Sequence, residues 1–188
     1  MIPEFIDFCT QLFPSIDPYT KEQAKKAMEQ FENVRGPVLT KVFDSFDLYQ
    51  GDIFSEIPFF YTDEAGEVKL IIRKAQLLSN TCDASRDTNL LFAALHPLDE
   101  FKSNPSLIDS ITKNKRYSTF YIPGEAVKNE YVDFELITTM SRENFLSLCQ
   151  KGKVRRITSL SLVGYYMFLC KMTVFLMRPE DVEVNESR

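Results

Sequence analysis

The stretch from Gly51 to Leu95 constrains this chain most. Gly51-Asp52-Ile53-Phe54 opens a strand directly after a glycine. Arg73-Lys74-Ala75-Gln76-Leu77-Leu78-Ser79 reads as a second strand, with an arginine at its mouth and a hydroxyl at its exit. Thr62-Asp63-Glu64-Ala65-Gly66-Glu67 lies between them as a turn, so the spacing predicts a hairpin of residues 51–61 and 68–79. Pro58 implies an edge strand or a bend, because proline cannot donate to a ladder. Asn80-Thr81-Cys82-Asp83 reads as a tight β-turn whose side chains fold back on the backbone. Residues 89–95 form a short apolar strand closing on His96-Pro97, and residues 117–122 and 131–138 add further strands. Such strands joined by short polar turns predict an α+β protein built on a strongly bent antiparallel β-barrel of about five to seven strands.

Helices are expected at both ends. Residues 2–13 are an apolar candidate stopped by Pro14. Residues 20–33 carry a Thr20/Gln23 capping box, an apolar stripe of Ala24, Ala27, Met28 and Phe31, and a stop at Arg35-Gly36-Pro37. Residues 38–48 read as helical or irregular. A helix over 104–115 is entered by Pro105, and Ser141 caps another that runs to Cys149. Residues 159–178 are apolar nearly all round, with Ser159 as cap and Pro179 as stop. Lys171 inside this run would cost about 2.5–3.5 kcal/mol near a bilayer centre, which favours a buried helix over a membrane span. The expected organisation is one domain over 1–188. A helical extension (1–49) precedes a barrel (50–140) with an inserted segment (99–116), then C-terminal helices (141–178) and an acidic tail (179–188).

Composition narrows the function. A formal charge of −5 disfavours broad nonspecific binding to nucleic acid or anionic membrane, though not a local basic patch. The sixteen phenylalanines, with no tryptophan, predict a Phe-built core. Cys9, Cys82, Cys149 and Cys170 are scattered, without zinc spacing, and a single histidine excludes a His-rich metal site. Glu4 and Asp7 stand where a secretion signal needs positive charge, so a reduced cytoplasmic chain is expected, with no cofactor and no membrane partner.

The block 51–96 resembles the MazF/PemK toxin family, small SH3-like barrels that cleave RNA. Gly51-Asp52-Ile53-Phe54 is similar to that family's R-G-D strand, and Arg73 to Ser79 to its arginine-proline, apolar run and serine, with Lys74 replacing the proline. Phe92-Ala93-Ala94-Leu95-His96 falls where the family carries a strand ending in threonine. The chain is also similar to uncharacterised bacterial proteins with S-[NQ]-T-C-D after the same strand. The resemblance implies an SH3-like barrel, a toxin endoribonuclease acting on single-stranded RNA without metal, a cognate antitoxin as partner, and a homodimer. The alternative is a non-catalytic protein- or nucleic-acid-binding module of a toxin–antitoxin or defence locus.

Metal-free RNA cleavage needs a base for the 2′-hydroxyl, an acid for the leaving oxygen and positive charge on the phosphate. Arg73 is the candidate phosphate clamp and His96 the candidate proton carrier, with Ser79, Thr81, Asp83 and Arg86 lining the groove. Equally, Arg73 can pair with Asp52 or Glu67 across the hairpin, and His96 can be a strand-end residue. Cys82, Asp83 and His96 have the composition of a thiol–imidazole–carboxylate set, while Cys82 also suits a small buried position. Lys113, Lys115 and Arg116 beside Tyr117, Phe120 and Tyr121 suit single-stranded RNA, as does the run Lys151, Lys153, Arg155 and Arg156. Both also suit solvated loops. The terminal helix can face its own core or a second copy.

Overall fold

A computed structural model describes residues 40–41 and 47–177. The helices expected over 2–13 and 20–33, most of 38–48, Cys9 and the acidic tail lie outside the described residues. The elements in chain order are β1 (Thr40–Lys41), β2 (Ile53–Thr62), β3 (Val68–Leu77), α1 (Thr81–Ala84) and β4 (Asn89–Pro97). After them come α2 (Pro105–Thr112), β5 (Thr119–Tyr121), β6 (Glu130–Ser141), α3 (Arg142–Gln150), β7 (Arg156–Leu160) and α4 (Leu162–Met177). Single 3₁₀ turns occupy Leu98–Phe101 and Glu125–Val127. The protein is α+β, and its seven strands form one antiparallel sheet in the order β1-β7-β2-β3-β4-β6-β5.

Local chemistry explains the element boundaries. In the β2–β3 turn, Asp63 Oδ1 accepts from the amides of Ala65 and Glu67 at 3.0 and 2.9 Å. Gly66 supplies the positive φ of 81° that closes the turn. Asn104 caps α2 by accepting from the Leu107 amide, with Pro105 in the first turn, and Ser141 caps α3 by accepting from Asn144.

The sheet separates two apolar layers, each covered by a helix. Ile53, Ala93, Leu95, Val132 and Phe134 pack with Phe168 and its neighbours on α4. Phe54, Ile57, Phe59, Phe92 and Ala94 pack with Phe145 on α3. Phenylalanine dominates both, as composition suggests: Phe54 meets Phe145 edge-on at 5.0 Å, and Phe134 meets Phe168 at 6.2 Å.

Two bulges bend the sheet and exchange its faces. Between Phe54 and Ile57, three steps on β2 match two on β3, and Glu56 takes a φ of 60°. An odd offset turns every later side chain over. Ile53 therefore faces α4, whereas Ile57 and Phe59 face α3. In β6, one step along β4 from Ala93 to Ala94 spans Ile137 back to Asp133. Phe134 consequently joins the α4 layer and Leu136 the α3 layer.

Several expectations are corrected. Residues 156–160 form strand β7, not part of a C-terminal helical region, and Thr40–Lys41 is a strand paired with it. Ser159 is buried in β7, and the hydroxyl accepting from the first turn of α4 belongs to Ser161, at 3.2 Å from the Gly164 amide. Asn80-Thr81-Cys82-Asp83 is not a tight β-turn: Asn80 caps the one-turn helix α1, accepting from the Cys82 amide at 2.9 Å. Among the described residues, no helix is long and apolar enough to cross a membrane.

Candidate functional site

Arg73 and His96 come together at one end of the β3–β4 pair. The β3–β4 ladder ends with Ala75 opposite Ala94, two residues short of Arg73 on one strand and of His96 on the other. Beyond Pro97 the chain leaves the sheet and enters the 3₁₀ turn Leu98–Phe101. Buried Leu98 pins that turn, with its amide donating to the Asn129 carbonyl at 2.7 Å. The turn returns Glu100 between the two side chains. Glu100 Oε1 lies 3.2 Å from Arg73 Nη2, and Oε2 lies 3.5 Å from His96 Nδ1.

β6 supplies the far wall. Tyr131, opposite His96, stacks on the imidazole at 5.8 Å between ring centroids. Asp133 Oδ2 lies 3.9 Å from His96 Nε2. Burial, with the charges of Asp133 and Glu100 adding to it, pushes the Tyr131 phenol up to about 12, so it stays protonated. Arg73 Nε and His96 Nε2 are both shielded from solvent without a hydrogen-bond partner. Both nitrogens therefore keep unused hydrogen-bonding capacity inside the cluster. Arg73 thus pairs with Glu100, not with Asp52 or Glu67. Sequence reasoning missed Glu100, Asp133 and Tyr131. Only Glu100 left a trace, four residues after His96.

The remaining predicted site residues lie elsewhere. Ser79 is six residues beyond Arg73, roughly 20 Å along an extended strand. Its hydroxyl accepts from the Leu91 amide at 2.9 Å, and Thr81 Oγ1 accepts from the Gln50 amide at 3.0 Å. Asp83 pairs with Arg86 at 3.1 Å on the surface of α1. Of these four only Thr81 lines a groove of about 330 Å³, which it shares with Lys41, Tyr49, Gln50, Ser161 and Tyr165. Gln50 is clamped there, donating to the Leu78 carbonyl at 2.8 Å and accepting from Tyr165 Oη at 3.2 Å. Cys82 is exposed, not buried. His96 sits at the other end of the strand pair, so the thiol–imidazole–carboxylate set does not assemble.

The basic runs divide. Lys113 pairs with Asp109 at 2.6 Å, and Lys115 and Arg116 follow in the exposed turn after α2. Arg116 lies close enough to lower the Tyr131 phenol electrostatically, which places it on the flank of the Arg73–His96 cluster. In the second run, Arg156 turns inward, with Nε 3.0 Å from Asp52 and its guanidinium over the rings of Tyr49 and Phe54. Asp52 of the Gly51-Asp52 motif is therefore a structural anchor, fully buried and accepting from the Tyr49 amide at 3.0 Å. Among the described residues, no cluster of His, Cys, Asp and Glu is arranged to hold a metal ion.

No protein-family model matches the chain, and no curated protein matches it.

Proposed function

We propose that this protein is a MazF/PemK-like, RNA-directed endoribonuclease that cleaves single-stranded RNA without metal at the Arg73–Glu100–His96 cluster. One observation carries the reading: a phosphate-binding and a proton-carrying side chain, distant in sequence, converge on one carboxylate, each with an orphaned nitrogen. Arg73 holds the non-bridging phosphate oxygens. Glu100 takes the 2′-hydroxyl proton as the 2′-oxygen attacks phosphorus, and protonated His96 returns a proton to the departing 5′-oxygen. The products are a 2′,3′-cyclic phosphate and a free 5′-hydroxyl. Arg116, with Lys113 and Lys115, carries the flanking strand. An SH3-like bent barrel belongs to the same reading, supported by the two face-exchanging bulges. So do an antitoxin partner, a cytoplasmic location and a homodimer through α4.

The test is induced expression of wild type, Arg73→Ala and His96→Ala in a bacterial host, with growth and RNA integrity read together. Growth arrest with fragmented RNA, abolished by either substitution in a folded protein, is the expected result. Normal growth and intact RNA with wild type would sink it. A second reading, a non-catalytic binding module, then takes its place, favoured by the clamped Gln50–Tyr165 groove at the opposite strand end.

A further inference from the structure

Two residues far apart in sequence hold the exposed turn after α2. Asn114 takes a φ of 53°, in the left-handed region that asparagine enters more readily than most residues with a side chain. From there its side chain grips β5: Oδ1 accepts from the Tyr121 amide at 2.8 Å, and Nδ2 donates to the Tyr121 carbonyl at 2.9 Å. Lys171 reaches the same turn from α4. Its ammonium donates to the backbone carbonyls of Asn114, at 2.9 Å, and Arg116. Burial pushes that ammonium down to about 8, so the hold is made at a desolvation cost. Backbone in a sparsely populated region and a desolvated charge both gather at functional sites, and here they fall on one turn.

The turn displays Lys115 and Arg116, both exposed, while Lys113 is paired with Asp109 at 2.6 Å. Tyr121 lies opposite Tyr131 on β6, and Tyr131 lies opposite His96 on β4. The two anchors thus fix the cations of the turn relative to the Arg73–His96 cluster. A cationic side chain on a loose loop loses conformational freedom when it meets a phosphate. On a loop already fixed, most of that loss is removed from binding.

We infer that Lys171 and Asn114 are positioning residues, which preorganise this turn so that Lys115 and Arg116 meet the phosphates of single-stranded RNA beside the cleaved bond. The inference rests on the nuclease reading above. Neither residue touches the RNA: Lys171 acts through the Asn114 and Arg116 carbonyls, and Asn114 through the backbone of Tyr121. Stability and binding therefore part at Lys171. Lys171→Met removes a desolvated charge and should not destabilise the chain, yet it frees the turn and weakens RNA binding.

The probe is a fluorophore-labelled single-stranded 2′-O-methyl oligoribonucleotide of mixed sequence, which keeps its phosphates and cannot be cleaved through its 2′-oxygens. Anisotropy titrations over a range of salt compare the full wild-type chain with Lys171→Met and with Asn114→Gly, which keeps the positive φ and loses only the side-chain bridge. The expected result is a loss of affinity of about fivefold in each, with the slope of log K against log salt shallower by about 0.7 for a lost phosphate contact. In an Arg116→Ala background the same substitutions should add little, because the cation they position is gone. Trypsin reads the turn without RNA. The Arg116 carbonyl belongs to the bond trypsin cuts, so Lys171→Met should be cleaved there several-fold faster, with cleavage after Lys128 unchanged. A wild type that binds no RNA would sink the nuclease reading and this inference with it. If wild type binds and Lys171→Met binds as tightly, or if its loss persists in full beside Arg116→Ala, this inference alone is overturned. Unchanged cleavage after Arg116 would also overturn it, since the turn would then hold without the ammonium.

Discussion

Two arginine–carboxylate pairs bracket the β2–β3 hairpin, and burial separates their roles. Asp52 and Arg156 meet at 3.0 Å with the carboxylate fully buried, held also by the Tyr49 amide. Arg73 and Glu100 meet at 3.2 Å at the surface, each more than a third exposed. The first pair ties β7 to the entry of β2. Breaking it strands a charge in a low dielectric. The second is worth little to folding, and water or a phosphate can replace either partner. The pair that matters most for the fold is thus the one least able to do chemistry.

The largest effect that would break this contrast is on the buried side. Arg156→Ala should cost about 3–5 kcal/mol in urea unfolding, because Asp52 keeps its burial and loses its cation. Adding Asp52→Asn should restore part of that loss, as a double-mutant cycle would show. Burial is the largest influence on the Asp52 carboxyl and raises it above its usual range, so an uncharged replacement removes a cost.

Lys171 sharpens the comparison, being a buried cation that meets carbonyls instead of a carboxylate. Its ammonium donates to the backbone carbonyls of Asn114, at 2.9 Å, and Arg116, and burial pushes it down to about 8. Between about 8 and the ordinary lysine value near 10.5 the unfolded chain binds the extra proton, so stability rises with pH in that window. Below it the full cost is present. Wild type measured against Lys171→Met should gain about 2–3 kcal/mol across the window, and a flat difference would refute the buried-cation account.

Gly51 tests how Asp52 is aimed. It holds a φ of 91°, and a Cβ there would lie 2.5 Å from Leu160 Cδ1. Gly51→Ala should cost about 1–3 kcal/mol in thermal unfolding, through backbone strain and displacement of Leu160 together. Smallest is Arg73→Ala, which should change stability by less than about 1 kcal/mol. A larger loss would make Arg73 a second structural pair and weaken its candidacy for phosphate binding.

Much of the strand pattern was legible in sequence because period-two burial writes itself into the residues. Phe92 and Ala94 face one layer and Ala93 and Leu95 the other, and the caps at Asn104 and Ser141 are local hydrogen bonds. β7 was hidden because Arg155 and Arg156 read as a solvated basic run, while the buried partner of Arg156 lies far away at Asp52. The site was half legible. Arg73 and His96 are unusual residues at strand ends, whereas Asp133 reaches His96 only through the β4–β6 pairing and the bulge that interrupts it.

The strands, the abundance of phenylalanine in the core and the hairpin turn follow from local chemistry, since alternation, capping and turn formation act between residues close along the chain. Tertiary structure alone decided which carboxylate each arginine meets and which face each strand shows after its bulge. Those outcomes depend on odd register offsets and on burial, which are properties of paired strands and of neither strand alone.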